Sequence, residues 1–182
     1  MRTILFVVLM LMAGFANSAR FEVAKDGEVG AYFVGATAAY ENQLSITFDS
    51  NPLEITPFIN NHTASFAEYT SYGSRLAGDG VNFHDFVTDT FDLWSNDIAK
   101  NYDGFDHMFY SAFMLPSGVP ALFVGFEDLY GGGDLDHDDI MAIFVNISPV
   151  PEPETYLMFM LGLAALAIRG CIARLKSHVR IS

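Results

Sequence analysis

The chain has 182 residues, of which 9 are Lys or Arg and 22 are Asp or Glu, so its formal net charge is −13. The first 18 residues contribute one positive charge and residues 149–182 contribute a net two, which leaves −16 on residues 19–148. A field of that sign repels phosphate backbones and predicts no nucleic-acid partner, and the single cysteine, Cys171, excludes a disulfide scaffold. The 17 Phe and 8 Tyr are too many for a disordered acidic segment, so residues 19–148 are expected to fold.

The N-terminus has the three-part layout of a secretory signal peptide. Arg2 precedes an apolar run from residue 4 to residue 13, and small residues follow it, with Ala16 at −3 and Ser18 at −1 of a cleavage before Ala19. The alternatives are a buried N-terminal helix or an uncleaved anchor, although the apolar run is short for a membrane span. We therefore predict a signal peptide over residues 1–18 and export of the chain.

Residues 19–148 are predicted to form an antiparallel β-sandwich. Five runs alternate apolar and polar residues, are rich in Phe, Tyr, Val and Ile, and are bounded by turn residues. They cover residues 29–34, 44–48, 107–113, 121–126 and 140–147, with weaker candidates at 53–58 and 87–93, while residues 63–76 are ambiguous. Short strands without a long amphipathic helix favour two packed sheets.

Two positions in this region carry more specific expectations. The run at 140–147 is apolar at nearly every position, which predicts a central strand covered on both faces. Trp94, the single tryptophan, is expected in the core.

Six carboxylates crowd the segment between the last two predicted strands, around three consecutive glycines at 131–133. They belong to Glu127, Asp128, Asp134, Asp136, Asp138 and Asp139. Unpaired, such acids repel one another, whereas Ca²⁺ takes 6–8 oxygen ligands, mainly carboxylates and carbonyls. The aspartates at i, i+2 and i+4 from residue 134 could converge on one ion, and the glycines permit positive φ.

The segment is not an EF-hand, because Asp139 stands where that loop needs Gly and Val145 where it needs a bidentate carboxylate. Softer metals are disfavoured because the cluster offers one imidazole, His137, and no thiolate. The alternative is a solvated acidic hairpin turn, since Asp and Gly are common turn residues. We predict one Ca²⁺ site lined by the six carboxylates, with Asp103 and Asp106 as outer contributors.

Residues 126–139 resemble the closing signature of a bacterial exported-domain family of unknown function. That signature is Phe-Glu-Asp, two residues, Gly-Gly-Gly-Asp, one residue, Asp-aromatic-Asn/Asp-Asp and a hydrophobic strand, and the chain departs from it at His137. The matching positions are Phe126, Glu127, Asp128, Gly131, Gly132, Gly133, Asp134, Asp136, Asp138 and Asp139. Weaker similarity at residues 33–44 and 101–107 extends the resemblance to residues 28–147. The resemblance implies a β-rich fold and a Ca²⁺ site, but no reaction.

The C-terminus combines a proline-rich segment, an apolar run and a basic cluster. Pro151, Glu152 and Pro153 keep the chain extended, and an uncharged run covers residues 156–168, reaching residue 173 if Arg169 snorkels to the headgroups. The basic residues at 169–180 are expected to stay in the cytoplasm, which leaves the acidic domain outside.

These three parts together resemble the PEP-CTERM sorting tail of bacterial exported proteins. The resemblance implies recognition by an exosortase-type membrane protease, removal of the tail, and release or transfer to the cell surface. The alternative is a plain tail anchor. Proteins with this tail are associated with exopolysaccharide-producing bacteria, which implies a biofilm or matrix setting and exopolysaccharide as a partner.

The predicted organisation is a signal peptide (1–18), a β-sandwich domain (19–148) and a sorting tail with a transmembrane helix (149–182). The predicted function is that of an exported, non-enzymatic surface or matrix protein, transiently anchored in the inner membrane. The alternative is a carbohydrate-binding, lectin-like domain or, more weakly, a carbohydrate-active enzyme. We favour the first because no arrangement in the sequence specifies a nucleophile or an acid/base pair.

Overall fold

The computed structural model of the chain describes residues 19–54, 56–151 and 160–162. Residues 19–150 of this set form eleven β-strands and one short 3-10 helix, Ile98–Lys100. The strands make two antiparallel sheets, so the predicted all-β class is confirmed.

The first sheet has six strands in the order β11-β1-β6-β3-β4, with β7 also paired to β6. The strands span Arg20–Val23 (β1), Asn42–Phe48 (β3), Phe58–Asn60 (β4), Gly80–Val87 (β6), Asp92–Ser95 (β7) and Ile147–Val150 (β11). β3 pairs with β6 from Asn42↔Val87 to Phe48↔Val81, so it occupies one edge of β6. β1 and β7 follow one another along the other edge.

The second sheet has five strands in the order β5-β2-β10-β9-β8. The strands span Gly27–Gly35 (β2), Tyr69–Arg75 (β5), Met108–Met114 (β8), Pro120–Phe126 (β9) and Ile140–Val145 (β10). β9 and β10 are antiparallel neighbours that begin pairing at Phe126↔Ile140. The long connection of residues 127–139 therefore closes a hairpin at one end of this sheet.

The hydrophobic core lies between the two sheets. β3 and β6 alternate buried and partly exposed residues along their whole length, as expected for strands with one face on a core. The Phe83 ring of β6 meets the Phe144 ring of β10 edge-to-face, with the ring centroids 4.9 Å apart. Trp94 is fully buried, as predicted. The architecture is the predicted β-sandwich.

The five stronger strand predictions are confirmed, and they correspond to β2, β3, β8, β9 and β10. The two weaker ones are wrong as continuous strands. Of the described residues in 53–58, only Phe58 belongs to a strand, β4, and Pro57 directly before it lacks the N–H that a strand interior needs. Residues 87–93 contain the polar turn between β6 and β7.

β10 is central in its sheet, as predicted, but only one of its faces is fully buried. The other face is half-buried because, among the described residues, no helix or third sheet covers the outside of the sandwich. The ambiguous residues 63–76 contain β5.

β6 is the longest of the strands that the sequence pattern did not predict. Its inward positions are Val81, Phe83, Asp85 and Val87, and all four side chains are buried. The carboxyl group at residue 85 interrupts what is otherwise a regular apolar alternation.

The chain divides into two units, residues 1–149 and 150–182. The signal segment with Ser18, and Glu152 and Pro153 of the sorting motif, lie outside the described residues, whereas Ala19 packs against the core and Pro151 is exposed. Residues 160–162 are helical. No helix in the described part of the chain has the length and apolar character to cross a membrane. The predicted domain boundaries stay predictions.

Candidate metal centre

The acidic residues gather in the connection between β9 and β10. Five of the six predicted ligands fall into two groups of three, and within each group one carboxylate oxygen per residue lies within 4.8 Å of the others. We call Glu127, Asp128 and Asp139 the inner triad, and Glu127, Asp134 and Asp136 the outer triad. Ca²⁺ binds oxygens at 2.3–2.6 Å, so two ligands of one ion lie at most about 5 Å apart. Both triads meet that limit, and Glu127 belongs to both.

The inner triad is buried. Glu127 is 1% exposed and Asp128 is 3% exposed, while Asp139 is half-buried. Burial, reinforced by the charge of Asp139, raises the pKa of Glu127 to about 8. Burial also raises the pKa of Asp128 to about 6, although the Asn42 amide opposes the rise. At neutral pH the raised pKa of Glu127 therefore favours its protonated form unless a positive charge compensates the carboxylate.

Few protein donors reach the inner triad, and they fix its geometry. The backbone N–H of Asp128 donates to Asp139 Oδ2 at 2.9 Å, and the Asn42 amide donates to Asp128 Oδ2 at 3.0 Å. The Trp94 indole N–H donates to the Asp128 carbonyl at 2.9 Å. Because Asn42 and Trp94 belong to β3 and β7, the first sheet holds Asp128 in position.

The outer triad depends on the shape of the glycine loop. Gly131, Gly132 and Gly133 all have positive φ, as the sequence predicts. A Cβ at Gly133 would overlap Glu127 Oε1, so only glycine allows the loop to pass this close to the shared carboxylate. Asp134 and Asp136, which follow, are exposed to solvent.

Asp103 and His107 hold the loop in place through hydrogen bonds. Asp103 Oδ2 accepts a hydrogen bond from the Gly131 N–H at 2.8 Å and also lies 2.8 Å from His107 Nε2. His107 Nδ1 lies 2.8 Å from the Glu127 carbonyl oxygen, so only a ring protonated on both nitrogens donates to both partners. Burial disfavours ionisation of Asp103, but these donors and the Phe105 N–H outweigh it and lower the pKa of Asp103.

Three predicted contributors lie outside both triads. Asp138 accepts a hydrogen bond from the Thr37 hydroxyl, which ties the loop to the end of β2. Asp103 serves the loop backbone, and Asp106 accepts the Met108 N–H at 3.2 Å. Of the three aspartates spaced i, i+2 and i+4, Asp134 and Asp136 come together, whereas Asp138 belongs to neither triad.

Two residues that the sequence analysis missed face the inner triad from the first sheet. Asp85 on β6 is fully buried, and neither of its carboxylate oxygens has a hydrogen-bond partner. Burial, Asp128 and Asp139 together raise the pKa of Asp85 well above its usual range. Asn42 is also fully buried and its Oδ1 has no partner. The sequence signal that could have found Asp85 is an acid at an inward position of an alternating strand.

Four rings lie in a row beside the loop, and we call them the aromatic ledge: His107, Trp94, Tyr102 and Tyr130. His107 stacks on Trp94 with the centroids 3.7 Å apart, and Tyr102 stacks on Trp94 at 5.1 Å. Tyr130 of the loop meets Tyr102 at 5.6 Å, and both tyrosines are about two-thirds exposed, at 67% and 64%.

Residues 149–173 match the PEP-CTERM protein-sorting motif. The match confirms the resemblance drawn from the prolines, the apolar run and the basic cluster. It indicates an exported protein that a membrane exosortase recognises. No curated protein sequence matches the chain. The resemblance of residues 126–139 to the exported-domain family of unknown function stays a prediction.

Two solved lectin structures are similar to the chain. The high-affinity mannose-binding lectin of Ralstonia solanacearum has a TM-score of 0.42 and 16% sequence identity. The lectin CV2L of Chromobacterium violaceum, in complex with alpha-methyl-fucoside, has a TM-score of 0.40 and 14% identity. Each similarity covers 75% of this chain and 100% of the lectin chain. Identities this low say nothing about a shared ligand.

Proposed function

We propose that this chain is an exported, non-enzymatic surface or matrix protein whose β-sandwich is stabilised by Ca²⁺ bound in the connection between β9 and β10. The observation that carries the proposal is the shared, buried Glu127, whose carboxylate lies within 4.8 Å of ligand oxygens in two groups of acids. Burying several like charges together is strongly unfavourable unless a cation compensates them.

Ca²⁺ suits this donor set better than other common metals. The ligand atoms of both triads are carboxylate oxygens on a glycine-rich loop, and Ca²⁺ accepts such oxygens in flexible geometries, whereas Mg²⁺ needs near-ideal octahedral geometry. Zn²⁺ prefers nitrogen and sulfur ligands, and neither triad includes a His or Cys.

The proposed route of the protein follows from its sorting motif. We expect the apolar run at 156–168 to hold the exported chain in the inner membrane until an exosortase-type protease removes the tail. The domain then stays at the cell surface or in the matrix. Extracellular Ca²⁺-binding modules have Kd values of about 10⁻⁴–10⁻³ M, and this is the affinity range we expect.

Calorimetry tests the proposal directly. Residues 19–182, purified in detergent and stripped with EDTA, should release or absorb heat on titration with Ca²⁺ and should unfold at a higher temperature in its presence. Mg²⁺ at the same concentration serves as the control and should have a much smaller effect. If millimolar Ca²⁺ produces neither heat nor a thermal shift, the proposed function is wrong.

A second candidate function, Ca²⁺-dependent carbohydrate binding, is favoured by the aromatic ledge. Exposed Tyr102 and Tyr130 offer ring faces on which a sugar can stack, and Tyr130 belongs to the loop that carries the acids. A glycan array should then show binding that EDTA abolishes and that Tyr130→Ala removes. A pure scaffold binds no glycan under either condition.

A further inference from the structure

Several buried oxygens near the inner triad have no hydrogen-bond partner within the described residues. They are Asp85 Oδ1, Asp85 Oδ2, Asn42 Oδ1 and Glu127 Oε2. All three side chains are at most 1% exposed. An unpaired buried polar group is costly, and a carboxylate, which only accepts, is the most costly of these groups. Four such atoms in one region indicate a ligand rich in positive charge.

These oxygens come from both layers of the sandwich. Asn42 and Asp85 project inward from β3 and β6 of the first sheet, while Glu127 follows β9 of the second. The Asn42 amide reaches Asp128 Oδ2 at 3.0 Å, so its other atom, Oδ1, lies next to the inner triad. Asp85 pairs in register with Trp94, whose indole donates to the Asp128 carbonyl, and it is close enough to interact with the charges of Asp128 and Asp139.

The two oxygens of Glu127 have different surroundings. Oε1 lies against Gly133, on the side of the loop that leads to Asp134 and Asp136. Oε2 is buried and has no partner. A carboxylate in this position, shared by two groups of acids, is suited to bridge two cations.

We propose that the site binds two Ca²⁺ ions bridged by Glu127, that the inner ion also takes Asn42 as a ligand from the opposite sheet, and that the buried carboxylate of Asp85 adds negative charge behind it. The outer ion takes Asp134 and Asp136. This inference rests on the proposed Ca²⁺ function and extends it, because the inner ion joins the two sheets whereas the outer ion orders only the loop. Asp85 is thereby a charged residue that supports the inner ion without belonging to either triad.

Counting the ions tests the proposal. Equilibrium dialysis of residues 19–182 in detergent against Ca²⁺, followed by metal analysis, should give two ions per chain. The double variant Asp134→Asn, Asp136→Asn should keep one. Asp85→Asn should weaken the other ion by roughly 10- to 100-fold, the usual cost of disturbing a metal site. Asp79→Asn, directly before β6 and outside both triads, is the matched control and should keep both ions at unchanged affinity.

A second variant guards against misfolding of Asp85→Asn. Asn42→Asp adds a charged ligand at nearly constant volume, so it should lower the melting temperature of the metal-free protein and tighten the inner ion. An unchanged Ca²⁺ affinity in this variant overturns the assignment of Asn42.

The outcomes separate this inference from the function on which it rests. One ion per chain, or two ions unaffected by Asp85→Asn, overturns the two-ion site and leaves the Ca²⁺ function intact. No bound ion in the unmodified chain overturns the Ca²⁺ function itself.

Discussion

The two ends of β6 carry acids in opposite circumstances. At its beginning, Asp79 accepts hydrogen bonds from the N–H and the hydroxyl of Ser50, and Asp49 accepts one from the Asn82 amide at 2.9 Å. Towards its other end, Asp85 is fully buried and accepts none. The first arrangement, which we call the acidic turn, is complete with protein donors alone. In the second, further acceptors lie near the acid, and this difference distinguishes the acidic turn from the proposed cation site.

The largest expected effect comes from Glu127→Gln, which removes the carboxylate shared by both triads. At a free Ca²⁺ concentration 100 times the Kd, binding adds about 2.7 kcal/mol to the free energy of unfolding. The variant should lose most of this gain while its metal-free form stays at least as stable, because the amide can donate to neighbouring acids. Urea unfolding with and without Ca²⁺ measures both quantities. A variant that keeps the full Ca²⁺ response contradicts the shared role of Glu127.

The next effect is a pH dependence of the metal-free protein. The pKa of Glu127 rises from 4.5 to about 8 on folding, so between these values the folded state holds a proton that the unfolded state has lost. The contribution of Glu127 to the free energy of unfolding is therefore fully present below about pH 4.5 and should fall as the pH rises towards 8. Urea midpoints in EDTA at pH 5 and pH 8 show the slope.

Two controls identify the source of this slope. Saturating Ca²⁺ should reduce it, since the ion stabilises the ionised acids, and Glu127→Gln should reduce it without Ca²⁺. A slope that is the same in the variant would assign it to the other buried acids, Asp85 and Asp128, or to the overall negative charge.

Substitution of two loop glycines separates strain from crowding. Both Gly131→Ala and Gly133→Ala place a side chain at positive φ, at a cost of about 1–2 kcal/mol each. A Cβ at 131 meets open space, whereas one at 133 would overlap Glu127 Oε1. Calorimetry should therefore show weakened Ca²⁺ binding for Gly133→Ala and nearly normal binding for Gly131→Ala. Equal losses in both variants would show that loop strain alone controls the site.

The smallest effect is expected in the acidic turn. Asp79→Asn disturbs the hydrogen bonds from Ser50 and should lower the free energy of unfolding by about 0.5–1.5 kcal/mol. Its Ca²⁺ response should equal that of the unmodified chain. A reduced response would mean that the two ends of β6 are not independent.

Part of the fold was predictable because five of the eleven strands are runs of apolar and aromatic residues with turn residues at their ends. They are β2, β3, β8, β9 and β10, although burial alternates regularly only in β3 and β10, and β8 is exposed beyond Met108. β6 escaped prediction because Asp85 occupies an inward position that the pattern reserves for apolar side chains. The residue that concealed the strand is also one on which the proposed two-ion site depends.

The candidate site was only partly predictable, since local sequence contains one of its two sides. The loop acids stand together in the chain, and five of them belong to the triads. Asn42 is 86 residues away from Asp128, its hydrogen-bond partner, and only the packing of the two sheets brings them together. Spacing along the loop also placed Asp138 in the site, where the Thr37 hydroxyl instead holds it outside.

The position of the inner triad, between the layers rather than on the surface, bears on when the protein matures. Under the proposed binding, the two sheets pack against the mutual repulsion of the buried carboxylates wherever free Ca²⁺ is scarce, as it is in the cytosol. The domain is therefore least stable against unfolding before translocation and most stable after it. Export and full stabilisation of the domain then coincide, because both depend on reaching a medium that contains Ca²⁺.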